Sequence, residues 1–326
     1  MRAHRRFRAM GTDCEVTVFA APHAADLLVD AAVQRIALLE DCWSRFRPTS
    51  ALNRLNARAG QGPVAASEDL IDLVATMRTA WEMTDGRFDP TVLHAMREIG
   101  YDADFAEVIA RTGIDTMLTQ ATPAPGMADV IVDVAAGTIT LPAGVGLDPG
   151  AIGKGLAADI VVDELMDAGA DGVLVSLGGD LVLAGSPDDD PQWLVSVVDE
   201  RRHGAAGAAD ATRPRPLRTL AFAPGTEPVG IATSTTAKRR WGAGRHHLVD
   251  PRTGTMAAPQ LVQATVVADA GWRAEAAATS ALLLDVAAAR DWLADAGLTG
   301  LLITPDLVID AQHRSASRSL TGAHHA

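Results

Sequence analysis

The chain has 326 residues, of which 48% are hydrophobic and 21% are charged, and its formal net charge is −13. This composition is typical of a globular protein and excludes extensive disorder, a collagen-like fibre and a multi-span membrane protein. The acidic balance argues against nucleic acid as a general partner, because a negative surface repels phosphate backbones. The only two cysteines, Cys14 and Cys42, exclude a disulfide framework and a four-cysteine zinc site.

The N-terminus carries four arginines within its first eight residues, as the basic region of a secretory signal would. Asp13 and Glu15 interrupt the apolar run that follows, and no convincing cleavage site appears. We therefore predict a basic arm that leads into a strand. Since no stretch approaches ~18 uninterrupted apolar residues, we expect no membrane span and a cytoplasmic location.

Hydrophobic periodicity predicts the elements along the chain. Alternation over 14–18 predicts a strand, and steps of three or four predict helices over 28–43 and 70–81, the latter with Ser67 as its N-cap. The remaining predictions are two strands within 173–184 around Gly178 and Gly179, strands over 193–198, 263–267, 301–303 and 307–309, helices over 275–284 and from 291 to Gly297, and a surface loop over 199–218. Because strands and helices do not alternate strictly, the class is α+β, with one domain over 1–312 and a frayed tail over 313–326.

The densest glycine-rich segment runs from Leu147 to Asp159 and passes from a turn into a helix. Amide groups at a helix N-terminus favour an anion, and Lys154 adds a positive charge, so a diphosphate is a plausible ligand. A P-loop is excluded, because Asp148 stands where its first glycine belongs and Gly155 replaces its Ser/Thr. Gly153, Gly155 and Ala158 fit a dinucleotide fingerprint but lack a preceding strand, and a tight helix-capping turn without a ligand remains an alternative.

Two further groups carry possible chemistry. Glu275 and Thr279 lie four residues apart, which places a carboxylate and a hydroxyl on one helix face, as Mg²⁺ would require, although an exposed surface pair is equally compatible with the spacing. The segment from His246 to Gly254 combines imidazoles, a carboxylate and a guanidinium beside a turn. These groups could act in acid–base catalysis or contact a phosphate, and the segment could equally be a surface turn without a function.

Eight segments in order resemble the FAD:protein FMN transferases, the ApbE-type family. They are 10–12 (MGT), 44–56 (SRFRP with LNRLN), 85–92 (DGRFDPTV), 148–159, 176–180 (SLGGD), 231–234 (IATS), 247–254 (HLVDPRTG) and 274–279 (AEAAAT). Each segment is weak by itself, and their common order along nearly the whole chain carries the resemblance.

The resemblance implies a T-fold-like single domain of mixed sheets flanked by helices, which binds FAD and transfers FMN to a Ser or Thr hydroxyl of an acceptor protein with release of AMP. It also implies a requirement for Mg²⁺. His247 and Lys154 would be catalytic. The implied FAD contacts are Met10, Phe46, Arg87, Phe88, Asp89, Asp148, Lys154, His247 and Val262, and the implied metal ligands are Ala151 and Ala278 through their carbonyls, Glu275 and Thr279.

Two positions depart from the family pattern: Phe46 stands where the family often has Tyr, and Glu275 where it usually has Asp. The longer carboxylate matters because Mg²⁺ demands near-octahedral geometry. Two other functions remain open, because the same site would serve them. One is a Mg²⁺-dependent FAD pyrophosphatase, in which water replaces the acceptor hydroxyl, and the other is a non-catalytic FAD-binding protein.

Overall fold

The computed structural model describes residues 1–111, 122–187, 192–202, 216–242 and 244–311. Its eight α-helices within these ranges are α1 Ala24–Trp43, α2 Ala51–Asn56, α3 Glu68–Met83, α4 Leu93–Glu98, α5 Phe105–Ala110, α6 Gly153–Asp167, α7 Gly271–Leu282 and α8 Val286–Asp295. The strands are β1 Arg2–Ala9, β2 Thr12–Phe19, β3 Val64–Ala65, β4 Ile131–Asp133, β5 Thr138–Thr140, β6 Gly172–Leu177, β7 Asp180–Gly185, β8 Trp193–Val198, β9 Pro216–Phe222, β10 Gly225–Thr235, β11 Arg240–Trp241, β12 Arg245–His246, β13 Val249–Asp250, β14 Thr255–Met256, β15 Gln263–Ala268, β16 Thr299–Ile303 and β17 Val308–Ala311.

An eight-stranded sheet forms the centre of the molecule, with strand order β1-β2-β6-β7-β10-β15-β16-β17. Every neighbouring pair in it is antiparallel. The side chains of successive residues therefore alternate between its two faces. Val182 of β7 packs in the core that contains α6, whereas the next residue, Leu183, packs on the opposite face against Trp193 of β8. The sheet is thus covered by helices on one face and by the β8–β9 ribbon on the other.

Helix α1 follows directly from its sequence pattern. Its buried residues are Ala25, Val29, Ala32, Ile36, Leu39 and Trp43, which recur every three or four positions. The helix packs against β1 and β2, and α6 and α7 pack side by side over the middle of the sheet. The α6–α7 pair brings the predicted glycine-rich turn and the predicted Glu275 and Thr279 into one region.

Most predicted elements are confirmed, and the mixed helices and antiparallel sheets confirm the α+β class. Four boundaries were wrong. The basic arm is itself strand β1, which pairs with β2 along its whole length and forms one edge of the sheet. The predicted loop over 199–218 contains a 3₁₀ turn at 200–202 and the start of β9, while 203–215 lie outside the described residues.

The other two wrong boundaries concern helix starts. α7 begins at Gly271 rather than Glu275, and α8 begins at Val286, where the Asp285 side chain accepts a hydrogen bond from the Ala288 amide at 2.8 Å. An alanine-rich sequence hides these starts, because alanine favours helix without marking where it begins. The predicted tail over 313–326 lies outside the described residues. Among the helices that are described, none is both long and apolar enough to span a bilayer.

Candidate active site

The turn before α6 is held by side chains from two other segments. The Asn56 carboxamide donates to the Leu147 carbonyl at 2.9 Å and accepts from the Leu147 amide at 2.8 Å. Within the turn, the Asp148 carboxylate accepts from the Gly150 amide at 2.8 Å. Ala151 then adopts a left-handed backbone with φ of 68°. A non-glycine residue in this region is strained, and such strain concentrates at functional sites.

Lys154, in the first turn of α6, meets two carboxylates from distant parts of the chain. Its Nζ contacts Asp180 Oδ2 at the start of β7 and donates to Glu275 Oε1 of α7 at 2.6 Å. The second oxygen of Glu275 accepts from the Gly155 amide at 2.7 Å. Both carboxylates are almost fully buried, with side-chain exposures of 6% for Asp180 and 3% for Glu275. One ammonium group thus links α6, β7 and α7.

The Lys154 cluster holds one basic group and two acidic groups. Burial by itself lowers the pKa of Lys154, but Asp180 and Glu275 outweigh it and raise the pKa above its ordinary value, so the ammonium stays charged. Burial raises the pKa of Glu275, and the Lys154 charge opposes that rise. One lysine thus faces two buried carboxyl groups, whose oxygens are also suitable ligands for a cation.

A pair of hydroxyl groups adjoins Glu275 on the same helix. Thr279 of α7 lies one turn beyond Glu275, and its Oγ1 is 2.7 Å from Ser234 Oγ of β10. The neighbouring Thr233 amide donates to Asp180 Oδ1 at 3.1 Å, so β10 approaches the same cluster. The structure thereby places Glu275 and Thr279 in the interior rather than on an exposed helix surface, which decides against the surface alternative.

These donors fit a hard divalent cation. Each Glu275 oxygen accepts one hydrogen bond, and since a carboxylate offers about four lone-pair positions, two remain for a metal. The Thr279 hydroxyl and backbone carbonyls of the kind assigned to Ala151 and Ala278 are oxygen ligands, which Mg²⁺ prefers. Within the described part of the chain, no group of three or more His, Cys, Asp or Glu forms a metal cluster. A metal here would thus use one carboxylate together with neutral oxygens.

His247 follows the short strand β12 and is held neutral. Burial, with the positive charges of Arg239, His246 and Lys154, lowers the pKa of His247 to about 3. Its Nδ1 is buried and has no hydrogen-bond partner. Buried polar atoms are almost always paired, so an orphaned ring nitrogen beside a charged cluster indicates a position where a ligand supplies the partner.

An aromatic layer lies on the other side of Asp148. Arg45 and Asp148 form an ion pair at 3.1 Å, with side-chain exposures of 6% and 4%. The Arg45 guanidinium lies over the rings of Phe46 and Tyr101, at 4.1 and 4.4 Å from their centroids. A cavity of about 390 Å³ opens beside Phe46, and it is lined by Arg45, Phe46, Pro48, Asn53, Asn56, Ala57, Leu93, His94, Arg97, Asp102, Val145 and Gly146. This volume is in the range of small-molecule sites.

The other predicted FAD contacts occupy more structural positions. Met10 forms the β1–β2 turn with a φ of 50°, while the Phe88 side chain lies in the core at 2% exposure. Asp89 is also buried, and its carboxylate accepts from the Thr91 amide at 2.8 Å and from Trp81 Nε1 at 3.2 Å.

Arg87 and Val262 each make a hydrogen bond that involves a backbone group of another residue. Arg87 donates to the Thr84 carbonyl at 2.8 Å, and the Val262 carbonyl accepts from the Thr236 amide at 3.1 Å. The contacts of all nine residues with FAD remain predictions, and so do the catalytic roles and the metal ligands.

Three residues of the site had no role in the sequence-based prediction. Asp180 and Ser234 stand in the segments SLGGD and IATS, so the order of those segments was a signal, but only the fold shows Asp180 on Lys154 and Ser234 on Thr279. Arg45, in the SRFRP segment, pairs with Asp148 across about a hundred residues of chain. The larger cavity of about 410 Å³, which lies between α5 and the β11–β12 hairpin, contains none of the predicted site residues.

Comparison with known proteins identifies the family of this chain. The model of the ApbE family matches residues 10–302. A FAD:protein FMN transferase of Treponema pallidum is 30% identical over 91% of this chain and 83% of its own length. One of Escherichia coli K12 is 24% identical over 81% of this chain and 72% of its own.

Solved structures show the same fold. The ApbE protein of Thermotoga maritima superposes with a TM-score of 0.76 at 20% identity, covering 95% of this chain and 97% of its own. A flavin transferase ApbE from Vibrio cholerae gives 0.72 at 20% identity, over 97% and 98%. With a family model that spans most of its length, this chain belongs to the ApbE family.

Proposed function

We propose that this protein transfers FMN from FAD to a Ser or Thr hydroxyl of an acceptor protein, releases AMP and requires Mg²⁺. The observation that carries the proposal is the Lys154 cluster. It joins the N-terminus of α6 to a buried carboxylate and a hydroxyl on α7, beside an unpaired neutral imidazole. Relatives across most of the chain's length are named FAD:protein FMN transferases, which supports the same chemistry.

The residues around the α6 N-terminus would bind the diphosphate of FAD. The Gly153 amide already bonds the Pro149 carbonyl and the Gly155 amide bonds Glu275, so the attraction for an anion comes mainly from the helix dipole and Lys154. Lys154 has three N–H donors, of which two contact Asp180 and Glu275, so one is left for a phosphate oxygen. The two carboxylates fix the direction of the ammonium group and keep it charged.

The transfer needs no covalent intermediate on the protein. The acceptor hydroxyl oxygen bonds to the phosphorus of the FMN half, and the bond from that phosphorus to the oxygen bridging to AMP breaks. The proton of the hydroxyl passes to water, and AMP leaves with the bridging oxygen. The neutral ring of His247 can accept a hydrogen bond from the incoming hydroxyl and so orient its lone pair toward phosphorus. With its pKa lowered to about 3, His247 orients better than it removes protons.

Mg²⁺ would be held by Glu275, Thr279 and the carbonyls of Ala151 and Ala278, and when bound it would neutralise charge on the diphosphate. The surplus of carboxyl groups over ammonium in the Lys154 cluster supports this assignment. The strained backbone at Ala151 supports it as well, because it fixes the direction of that residue's carbonyl group.

The deciding experiment incubates the protein with FAD, Mg²⁺ and an acceptor domain that carries a Ser/Thr segment, with a Ser/Thr→Ala acceptor as control. Covalent flavin fluorescence on the intact acceptor, with equimolar AMP, is expected. AMP and free FMN without labelling would identify a pyrophosphatase. Bound FAD with neither product would identify a binding protein, and either outcome would overturn the transferase proposal.

A further inference from the structure

Asp159 caps a helix to which it does not belong. It lies on α6, and its Oδ1 and Oδ2 accept from the Gly271 amide at 2.6 Å and the Trp272 amide at 2.9 Å. These are the first two amides of α7, which lack partners within their own helix. The residue at the N-cap position, Ala270, makes no side-chain cap. Asp159 therefore supplies from α6 the acceptor that an Asp or Ser at position 270 would provide.

The same end of α7 touches α6 at a second point. A Cβ on Gly155 would lie 2.4 Å from the Gly271 carbonyl group, so the two backbones are in direct contact. One turn further along α7, Glu275 accepts from Lys154 and Gly155. The Asp159 bonds and the glycine contact thus fix the start of the helix whose next turns carry Glu275 and Thr279.

We propose that Asp159 is a positioning residue for the metal and diphosphate site: by binding the first two amides of α7, it holds Glu275 and Thr279 in register with Lys154 and Gly155. This inference rests on the proposed function. Loss of the Asp159 carboxylate frees the start of α7 to shift along or rotate about its axis. Glu275 and Thr279 then lose their common geometry, to which Mg²⁺ is sensitive.

The alternative is a cap that contributes only stability, and the chain offers a matched control for it. Asp285 caps α8 through the Ala288 amide at 2.8 Å, and α8 carries no predicted ligand. Asp159→Ala and Asp285→Ala both remove a capping carboxylate, which typically destabilises a protein by about 1 kcal/mol. Asp159→Asn keeps one acceptor oxygen and loses the charge.

The experiment measures Mg²⁺ affinity of the FAD-loaded full chain by calorimetry, with FAD affinity and melting temperature measured in parallel. Burial raises the pKa of Asp159 to about 7, although the hydrogen bonds from the Gly271 and Trp272 amides lower it. The Mg²⁺ titration is therefore run at about pH 8, where the carboxyl is ionised. We expect Asp159→Ala to weaken Mg²⁺ binding about tenfold or more, the effect typical of outer positions around a metal. Asp159→Asn should be intermediate, and Asp285→Ala should lose stability with unchanged Mg²⁺ affinity.

Equal Mg²⁺ affinities for Asp159→Ala, Asp159→Asn and the wild type would overturn the positioning role, whatever their melting temperatures. Should Asp159→Ala not fold, Asp159→Asn decides the matter by itself. If the wild type transfers FMN and both variants bind Mg²⁺ normally, the positioning role of Asp159 is wrong but the proposed function still holds. A wild type that neither binds Mg²⁺ nor transfers FMN rejects the proposed function, and this inference with it.

Discussion

Gly155 and Gly271 touch through their backbones where α6 and α7 cross. A Cβ on Gly155 would meet the carbonyl carbon and oxygen of Gly271 at 2.4 Å and the Trp272 amide at 2.6 Å. A Cβ on Gly271 would in turn lie 2.7 Å from the Gly155 carbonyl oxygen. Since the three atoms nearest to a Cβ on Gly155 all belong to the backbone, no side chain can rotate away to relieve that clash. The close approach places the Gly155 amide at 2.7 Å from Glu275 and thus builds the site.

Gly155→Ala should therefore separate the two helices. We expect a loss of about 2 kcal/mol or more in the free energy of unfolding, as for overpacking in a tight interior, together with weaker Mg²⁺ activation. Chemical denaturation monitored by circular dichroism measures the first effect. Gly225→Ala is the control, because a Cβ on Gly225 would have no atom within 4 Å and the φ of that residue is ordinary. Similar small losses for both variants would contradict the tight crossing.

Glu275→Asp tests the length of the carboxylate. The Glu275 carboxylate accepts hydrogen bonds from Lys154 at 2.6 Å and from the Gly155 amide at 2.7 Å. Removing one methylene moves the carboxylate away from both donors by about 1.5 Å. We expect lower activity and a higher Mg²⁺ requirement than in the wild type. Glu275→Gln keeps an acceptor for Gly155 but loses the charge, so it should retain the fold and FAD binding while losing Mg²⁺ activation. The readout is AMP release against Mg²⁺ concentration, and an Asp variant as active as the wild type would show that the helix adapts.

Stability should fall on acidification because His247 is buried neutral. The pKa of His247 is lowered to about 3 in the folded protein and is about 6.5 in the unfolded chain. Between these pH values the unfolded chain therefore binds a proton that the folded protein does not bind. The contribution is complete above pH ~6.5 and is lost as pH falls toward 3, by at most about 5 kcal/mol.

His247→Gln should flatten this part of the pH–stability curve, measured by denaturant unfolding at a series of pH values. Between about pH 5 and 8 the transfer rate should show no inflection from His247, because its charge does not change there. A histidine proton resonance that titrates near pH 6.5 and disappears in His247→Gln would contradict the neutral assignment.

Removing one partner of the Arg45–Asp148 pair should lower the free energy of unfolding more than removing both. Arg45→Met leaves the Asp148 carboxylate buried, with the Gly150 amide as its remaining polar contact, which typically destabilises by about 3–5 kcal/mol. The double variant Arg45→Met with Asp148→Asn should recover part of that loss. Arg45→Lys should not substitute, because an ammonium cannot stack on Phe46 and Tyr101 and bond Asp148 in the same plane. A double-mutant cycle in urea, with FAD titrations of each variant, measures the coupling, and additive losses would contradict it.

The sequence by itself determined several elements that bury one face, although the central strand β10 was not predicted. The spacing from Val29 to Trp43 and the alternation around Val16 and Val18 are direct consequences of helical and strand geometry, and both elements formed as expected. It also singled out the glycine-rich turn, Lys154 and the Glu275–Thr279 face as candidate chemistry, but it left a ligand-free turn and an exposed surface pair open. The start of α7 was missed because its first amides are capped by Asp159, more than a hundred residues away. The start of α8 was missed although its cap, Asp285, is local.

Only the tertiary structure decided which of these groups act together. Lys154 contacts Asp180 and Glu275 because α6 and α7 cross at two glycines and β7 begins beside them, although these segments are far apart in the chain. The neutrality of His247 has the same origin, since burial and the charges of Arg239, His246 and Lys154 set its pKa. Local sequence fixes backbone geometry and residue chemistry, whereas burial and charge depend on neighbours that only the folded chain brings within a few ångströms.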